Sequence, residues 1–327
     1  MKKNGVPWFM RLLKVRLFGK SPLNAFLGLN QRLWNRFSFS LSASRPIGFY
    51  GIFLHRLARI RDDRAQALST FFLRNRPALE LIGRLMQQKQ PGDTVRVAVL
   101  GCSAGAEVYS VAWRIRRARP DLKLRLSATD ISSDAVEFAK RGVYSHASSP
   151  LTTTPVLERM SPAEMEEMFE RDGDAVKVKP CLREGINWYL GDVGDPGILD
   201  VLGPQDLVVA NNFLCHMADH DAERCLRNIA RLVAPHEYLF VSGIDLDVRT
   251  KVARELGWEP VPELLEKIHG GDPCMTSIWP CHYGALEPLD KRRRDWETRY
   301  AAFFRIPPLA SDFASNHNRF IEAASTV

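Results

Sequence analysis

The sequence predicts an α/β fold in which a mostly parallel sheet carries helices on both faces. Three observations predict it. Val97, Ala98, Val99 and Leu100 form an unbroken apolar run, as a strand buried on both faces requires. A small-residue turn, Gly101-Cys102-Ser103-Ala104-Gly105, follows at once and leads into a helical pattern. Beyond it strand-like and helix-like stretches alternate, which implies right-handed crossovers between parallel strands.

The turn anchors the reading of the chain. Gly101 and Gly105 sit where a backbone reverses sharply and lets a ligand approach with no Cβ in the way. The amides around Ser103 and at the start of the next helix offer donors and partial positive charge to a polar or anionic ligand, which makes Ser103 a candidate contact. Such turns also close strand-helix units for steric reasons alone, so the second strand matters. It is predicted over residues 123–128 and leads to Asp130, 25 residues beyond Gly105, where an acidic side chain can grip two ribose hydroxyls. The other reading of Asp130 is a helix cap, although Ser132 and Ser133 serve that purpose without it. Turn and carboxylate together point to a nucleotide-like cofactor.

The chain has 327 residues, 45% apolar and 25% charged, enough for one large domain or two modest ones. The Pro91-Gly92 pair predicts a boundary between a helical, basic region over 1–90 and a sheet domain over 91–327. Residues 1–60 hold eleven Lys or Arg and no Asp or Glu; the other 267 hold 34 basic and 38 acidic groups, a net of −4. The whole basic excess is therefore N-terminal. It suits a phosphate, an anionic membrane surface or an acidic partner, or else it is a solvated helical face. Residues 1–20 mix Trp8, Phe9, Leu12 and Leu13 with Lys2, Lys3, Arg11 and Lys14, as a basic amphipathic helix does. Helices are predicted over 24–35 and 46–61, joined by a serine-rich link, with His55 a packing residue. The six cysteines show no CxxC pair, and no signal peptide precedes them, so reduced thiols in a cytoplasm are expected. No apolar run approaches the roughly twenty residues that span a bilayer.

Further along, helices are predicted over 71–88, over 108–119 ending at Pro120, and over 133–141 ending at Gly142. Residues 144–185 are too many for an ordinary connection and predict an insertion. Within it Ser161, Pro162 and Glu164 make a capping box for a helix reaching Arg171, and 175–179 alternate like a short strand. The third strand is predicted over 186–190, the fourth over 206–210, a helix over 219–232 and the fifth strand over 237–241. In an open parallel sheet ligands lie outside the carboxyl ends of the strands, and Gly101, Asp130, Asp192 and Asn212 all fall at that edge.

The segments GCSAGAEVYS, ATDIS, AKRGVYS, SPAEMEEMFERDG and VKVKP, in that order, resemble the CheR-type chemotaxis-receptor methyltransferases. TFFLRNRPALELI upstream, and INWYLGDVGD and DLVVANNFLCHM downstream, extend the resemblance over about 70–242. It implies a class I Rossmann-like methyltransferase fold with S-adenosylmethionine as cofactor. It also implies a small antiparallel subdomain inserted at about 144–185 that contacts a protein substrate or docking peptide. Arg74 matches an arginine that reaches cofactor and substrate, a role suited to a guanidinium because its fork of donors fits two carboxylate oxygens. Glu107 matches a cofactor-contacting glutamate, and Asn212 matches the asparagine of the family's CRN segment. Asp192 either accepts from the adenine amino group, with the Val193 backbone beside it, or forms a turn. The departures are Ala104, Ala106 and Val108 for Thr, Glu and Pro, Asn211 for arginine, and His216 for tyrosine.

Methyl transfer from a sulfonium is an in-line displacement, so the enzyme chiefly holds the nucleophile about 3 Å from the methyl. A carboxylate acceptor is already ionised, whereas a hydroxyl is helped by a base. His216 is the candidate base; otherwise it shapes the pocket. The expected activity is methyl transfer to an oxygen acceptor, carboxylate or hydroxyl, on a small molecule or protein other than a chemoreceptor. Protein-glutamate methylation and a degenerate cofactor-binding scaffold are the alternatives. Nucleic acid is disfavoured, because the basic block is remote from the catalytic loops and lacks regularly spaced stacking aromatics. No metal is expected, since His216 and His220 have no HExxH context and no third ligand. The segment with Trp279, His282, Lys291 to Arg294 and Trp296 is expected to pack as a helix, with closure of the pocket as the other reading.

Overall fold

The computed structural model describes residues 21–36, 44–61, 68, 70–147, 151 and 155–308. The predicted amphipathic stretch over 1–20 and nearly all of the serine-rich link lie outside the described residues. The chain forms two compact units, Met1–Ala65 with Asp272–Arg294, and Gln66–Gly271 with Asp295–Val327.

In the first unit helix α1 (Pro22–Trp34) begins with proline in its first turn, and the Ser21 hydroxyl accepts the Asn24 amide at 3.1 Å. Helix α2 (Arg45–Arg61) packs on it through Leu23, Leu27, Leu54 and Ala58, with Cys281 closing the cluster. Trp279 meets Trp34 edge-on at 5.1 Å, His282 bonds Gln31 at 2.8 Å, and His55 bonds the Pro280 carbonyl at 3.3 Å. Residues 279–295 are turns and extended chain, because Pro280, Gly284 and Pro288 interrupt any helical run, and of the expected packing helix only the part from Trp296 forms, as the short helix Trp296–Tyr300 of the second unit. Trp279 and His282 therefore serve the small core of the first unit.

The second unit is built on strands β1 (Thr94–Leu100), β2 (Lys123–Asp130), β3 (Val143–Ser145), β4 (Phe169–Asp172), β5 (Ala175–Val178), β6 (Ile186–Leu190), β7 (Gln205–Asn211), β8 (Val233–Ser242), β9 (Glu259–Pro260) and β10 (Phe303–Arg305). The main sheet has the order β6-β2-β1-β7-β8-β10-β9. Its first five strands are parallel, and β10 is antiparallel to both β8 and β9. β1 is central, with Val97 opposite Leu126 on one side and Leu207 on the other, which is why its apolar run is continuous. Helix α3 (Arg76–Met86) and helix α4 (Ala106–Ala118) contribute Leu81, Ile82, Val111 and Ile115 to the core over it. Helix α5 (Ser133–Arg141) ends at Gly142 in the left-handed conformation, the stop that the sequence predicts.

Among the differences from the sequence reading, three bear on the architecture. The helix predicted from residue 71 begins at Arg76, because the Asn75 side chain accepts the Ala78 amide and Pro77 occupies the first turn. Ahead of it Leu73 has φ 53° and its amide bonds the Ser110 hydroxyl at 3.0 Å. Helix α6 (Pro162–Met168) stops short of Arg171, because burial of Phe169 and its pairing with Val178 turn 169–172 into β4. β9 and β10 were not anticipated; β10 is held by Phe303, whose ring stacks on Phe240 at 4.2 Å.

The insertion is a three-stranded antiparallel sheet, β3-β5-β4. The Arg76 guanidinium pairs with Glu164 at the start of α6 and donates to the Arg159 carbonyl at 2.7 Å, tying the insertion to α3. Among the described residues no helix is long and apolar enough to cross a membrane.

Candidate active site

The site forms where β1, β2 and β7 end. Gly101 has φ +66°, and a Cβ there would lie 2.8 Å from the Phe213 ring; Gly105 has φ +83°, and its Cβ would lie 2.8 Å from that of Ala139. Both positions therefore demand glycine on conformational and steric grounds. Ser103 between them is also left-handed, at φ 47°. Gly105 caps α4 without a side-chain acceptor, so the first amides of that helix face no side-chain cap. The Tyr144 hydroxyl, from β3 of the insertion, donates to the Ala104 carbonyl at 2.6 Å and braces the turn from behind.

Asp130 is 6% exposed, and its two oxygens are held by different loops. One accepts the Ser103 amide at 2.8 Å and the other the Ser132 amide at 3.0 Å. The carboxylate thus ties the glycine turn to the start of α5, while the Ser132 hydroxyl caps that helix through the Ala135 amide. The neighbouring Cys102 thiol is pushed up by burial and by the charge of Asp130, which keeps it protonated.

Glu107 stands in the first turn of α4. Asn211 donates to its Oε1 at 2.5 Å, and Asn211 Oδ1 in turn accepts the Ser242 hydroxyl at 2.9 Å. Burial raises the Glu107 carboxyl, opposed by the Asn211 bond and by the positive charge of Arg74. Arg74 lies near enough for its charge to act on Glu107. The chain leading to it is held at two points, since the Leu73 amide bonds the Ser110 hydroxyl and the Ser103 hydroxyl donates to the Leu68 carbonyl at 2.7 Å. Nothing in the residue order announced the Asn211–Ser242 pair; the only available signal was two asparagines ending an apolar strand.

The end of β7 carries Asn212, Phe213 and His216. Asn212 has φ 59°, and its amide bonds the Ser242 carbonyl at 3.0 Å. Gly243 makes that approach possible, since a Cβ there would lie 2.5 Å from the Asn212 Cα. His216 ends a short 3-10 turn, Leu214–His216, with its amide on the Phe213 carbonyl at 3.0 Å. Asp192 is exposed and its Oδ1 accepts the Gly194 amide at 2.7 Å, while the Val193 carbonyl takes the Asn228 carboxamide at 3.1 Å. Among the described residues no group of three His, Cys, Asp or Glu could hold a metal ion.

A parallel sheet of this order, with a glycine cradle after its central strand and a carboxylate at the end of the next, defines a class I S-adenosylmethionine-dependent methyltransferase fold. The residues suit that cofactor. The cradle admits a ligand that a Cβ would exclude, and the carboxylates of Asp130 and Glu107 stand beside it at the end of β2 and in the first turn of α4. Residues 69–247, more than half of the chain, match the family described as CheR methyltransferase, SAM binding domain. The chain belongs to the CheR methyltransferase family, and S-adenosylmethionine is its cofactor. It is similar to an uncharacterized 104.1 kDa protein of Rhodobacter capsulatus, 27% identical over 60% of this chain and 20% of that one. It is similar also to the probable biofilm formation methyltransferase WspC of Pseudomonas aeruginosa, at 24% over 53% and 40%, and to a chemotaxis protein methyltransferase of Vibrio parahaemolyticus, at 25% over 50% and 58%. The matched region spans less than two thirds of each of these relatives.

Proposed function

We propose that the protein methylates an oxygen acceptor other than a chemoreceptor glutamate, with a hydroxyl as the favoured acceptor. The observation that carries this reading is a contrast along one edge of the sheet. The two turn glycines, Glu107 and Asp130 keep the cofactor side of the family pattern despite Ala104, Ala106 and Val108, and Asn211 in place of arginine holds Glu107, whereas beyond β7 His216 stands in place of tyrosine. The change to His216 falls where an acceptor would approach.

When bound, S-adenosylmethionine supplies an electrophilic methyl carried on a sulfonium. The chain's own residues do the rest. Asp130 and the turn amides orient the ribose, and Asp192 and Val193 line the adenine side. Glu107, held by Asn211, faces the amino group, and Arg74 binds a carboxylate, either the cofactor's or one on the acceptor. Asn212 shapes the floor through its left-handed backbone. His216, on the 3-10 turn that follows, accepts the proton of an acceptor hydroxyl as its oxygen takes the methyl and the carbon–sulfur bond breaks to leave a neutral thioether.

The test uses cofactor labelled in its methyl group with panels of hydroxyl-bearing and carboxylate-bearing acceptors. The expected product is an ether that survives mild base, and His216→Phe should lower turnover by roughly 10²–10⁴-fold while keeping cofactor affinity. A base-labile product that releases methanol and still forms in the variant would return the acceptor to the carboxylate class, which Arg74 also suits. Cofactor binding without turnover across both panels would leave a scaffold.

A further inference from the structure

The helix pair of the first unit carries a second apolar face besides the one that packs it together. Leu23, Leu27, Leu54 and Ala58 are buried between the helices. Phe26, Leu29 and Leu33 recur along α1 at helical spacing and are 40%, 56% and 45% exposed; Phe49, Tyr50 and Phe53 of α2 are 72%, 41% and 50% exposed. The two sets are linked. The Tyr50 hydroxyl donates to Asn30 of α1 at 2.6 Å, and its ring stacks on Phe53 at 6.3 Å. So many large apolar side chains joined on one water-facing surface mark a docking face.

Charge identifies what docks there. Arg32 of α1 and Arg36 just beyond its end alternate with Leu29 and Leu33, and Arg45 and Arg56 bracket Phe49 and Phe53 along α2, all four arginines being exposed. Residues 1–60 contain eleven Lys or Arg and no acid. Exposed aromatic and leucine side chains flanked by arginine, with carboxylates excluded, suit the interface of an anionic bilayer, where rings sit at headgroup depth and guanidinium groups meet phosphate. A second copy of the chain would bring like charge against like. Nucleic acid would meet the arginines but leave Leu29 and Phe49 in water.

We propose that the α1–α2 face docks reversibly on the surface of an anionic phospholipid bilayer. The test is co-sedimentation of the full chain with vesicles of phosphatidylcholine, alone or with phosphatidylserine added. Binding is expected only with phosphatidylserine, and it should weaken as salt is raised. Arg45→Gln with Arg56→Gln should weaken partitioning roughly thirty-fold, about fivefold for each charge. Phe49→Ser with Phe53→Ser should weaken it too, because the apolar contact is lost. Cofactor affinity, measured by calorimetry, should be unchanged in both variants, and an unchanged helical circular dichroism spectrum and melting profile show that the first unit is folded in them. Equal binding to both vesicle types, no binding to either, or partitioning unchanged in both variants would overturn the proposal. So would a dimer in sedimentation equilibrium that the phenylalanine pair dissociates.

Discussion

Asn211, at the end of β7, donates to Glu107 at 2.5 Å while accepting the hydroxyl of Ser242, at the end of β8, at 2.9 Å. Two strand ends thereby fix a carboxylate in the first turn of α4. Asn211→Ala should weaken S-adenosylmethionine binding by roughly ten- to a hundred-and-fifty-fold, the worth of one hydrogen bond to a charged group. Ser242→Ala should act in the same direction and less strongly, since it only orients the amide. Calorimetry on the two variants measures both effects.

Glu107 also predicts a pH dependence. Burial raises its folded-state pKa above the ordinary glutamate value. Between those two values the folded chain binds more protons than the unfolded one, so stability without cofactor falls as pH rises through that window. Glu107→Gln should flatten this slope and raise the melting temperature above the window, while it removes the charge that meets the cofactor. Melting curves against pH, with and without cofactor, check both halves.

The glycines of the turn should not tolerate a methyl group. Gly105→Ala combines φ +83° with a 2.8 Å approach to Ala139, at a cost of about 2–5 kcal/mol. Gly173→Ala, in the β4–β5 hairpin, meets nothing within 4 Å, so its cost is that of φ +62° alone, about 1–2 kcal/mol. Urea denaturation of both variants separates steric from conformational strain.

The parallel strands, α5 with its glycine stop and the capping box at Ser161 were legible because each is a local pattern: an apolar run, a 3.6-residue period, a cap. The turn and Asp130 were legible because spacing along one strand-helix unit brings them together. β9 and β10 were not, since two or three residues carry no period and pair only because the edge of β8 is there to receive them. The coupling of Arg74 to Glu107, and of Asn211 to Ser242, joins residues far apart in sequence and has no local signature. The grouping of residues 272–294 with α1 and α2 rests on Trp279 meeting Trp34 and is equally invisible along the chain.

The insertion is held to α3 by Arg76 and Glu164, whose carboxyl is pulled down to about 2, chiefly by the Arg76 hydrogen bond. A depressed carboxyl contributes stability that is present above its unfolded value and lost as pH falls through the folded one. The contribution should therefore disappear between about pH 4.5 and about 2. Arg76 is half exposed, so Glu164→Gln should cost no more than about 1 kcal/mol at neutral pH. Acid unfolding followed by tryptophan fluorescence, for the parent and the variant, measures this difference.

The most direct test of the site is calorimetry of S-adenosylmethionine binding to the parent chain and to Asp130→Ala, each first shown by circular dichroism to be folded. Asp130 both fixes the Ser103 amide and, in this account, binds the ribose. The variant should bind roughly ten- to a hundred-and-fifty-fold more weakly, corresponding to about 1.5–3 kcal/mol for the lost charged hydrogen bond. An affinity unchanged by the substitution would contradict the placement of the cofactor at the ends of β1 and β2.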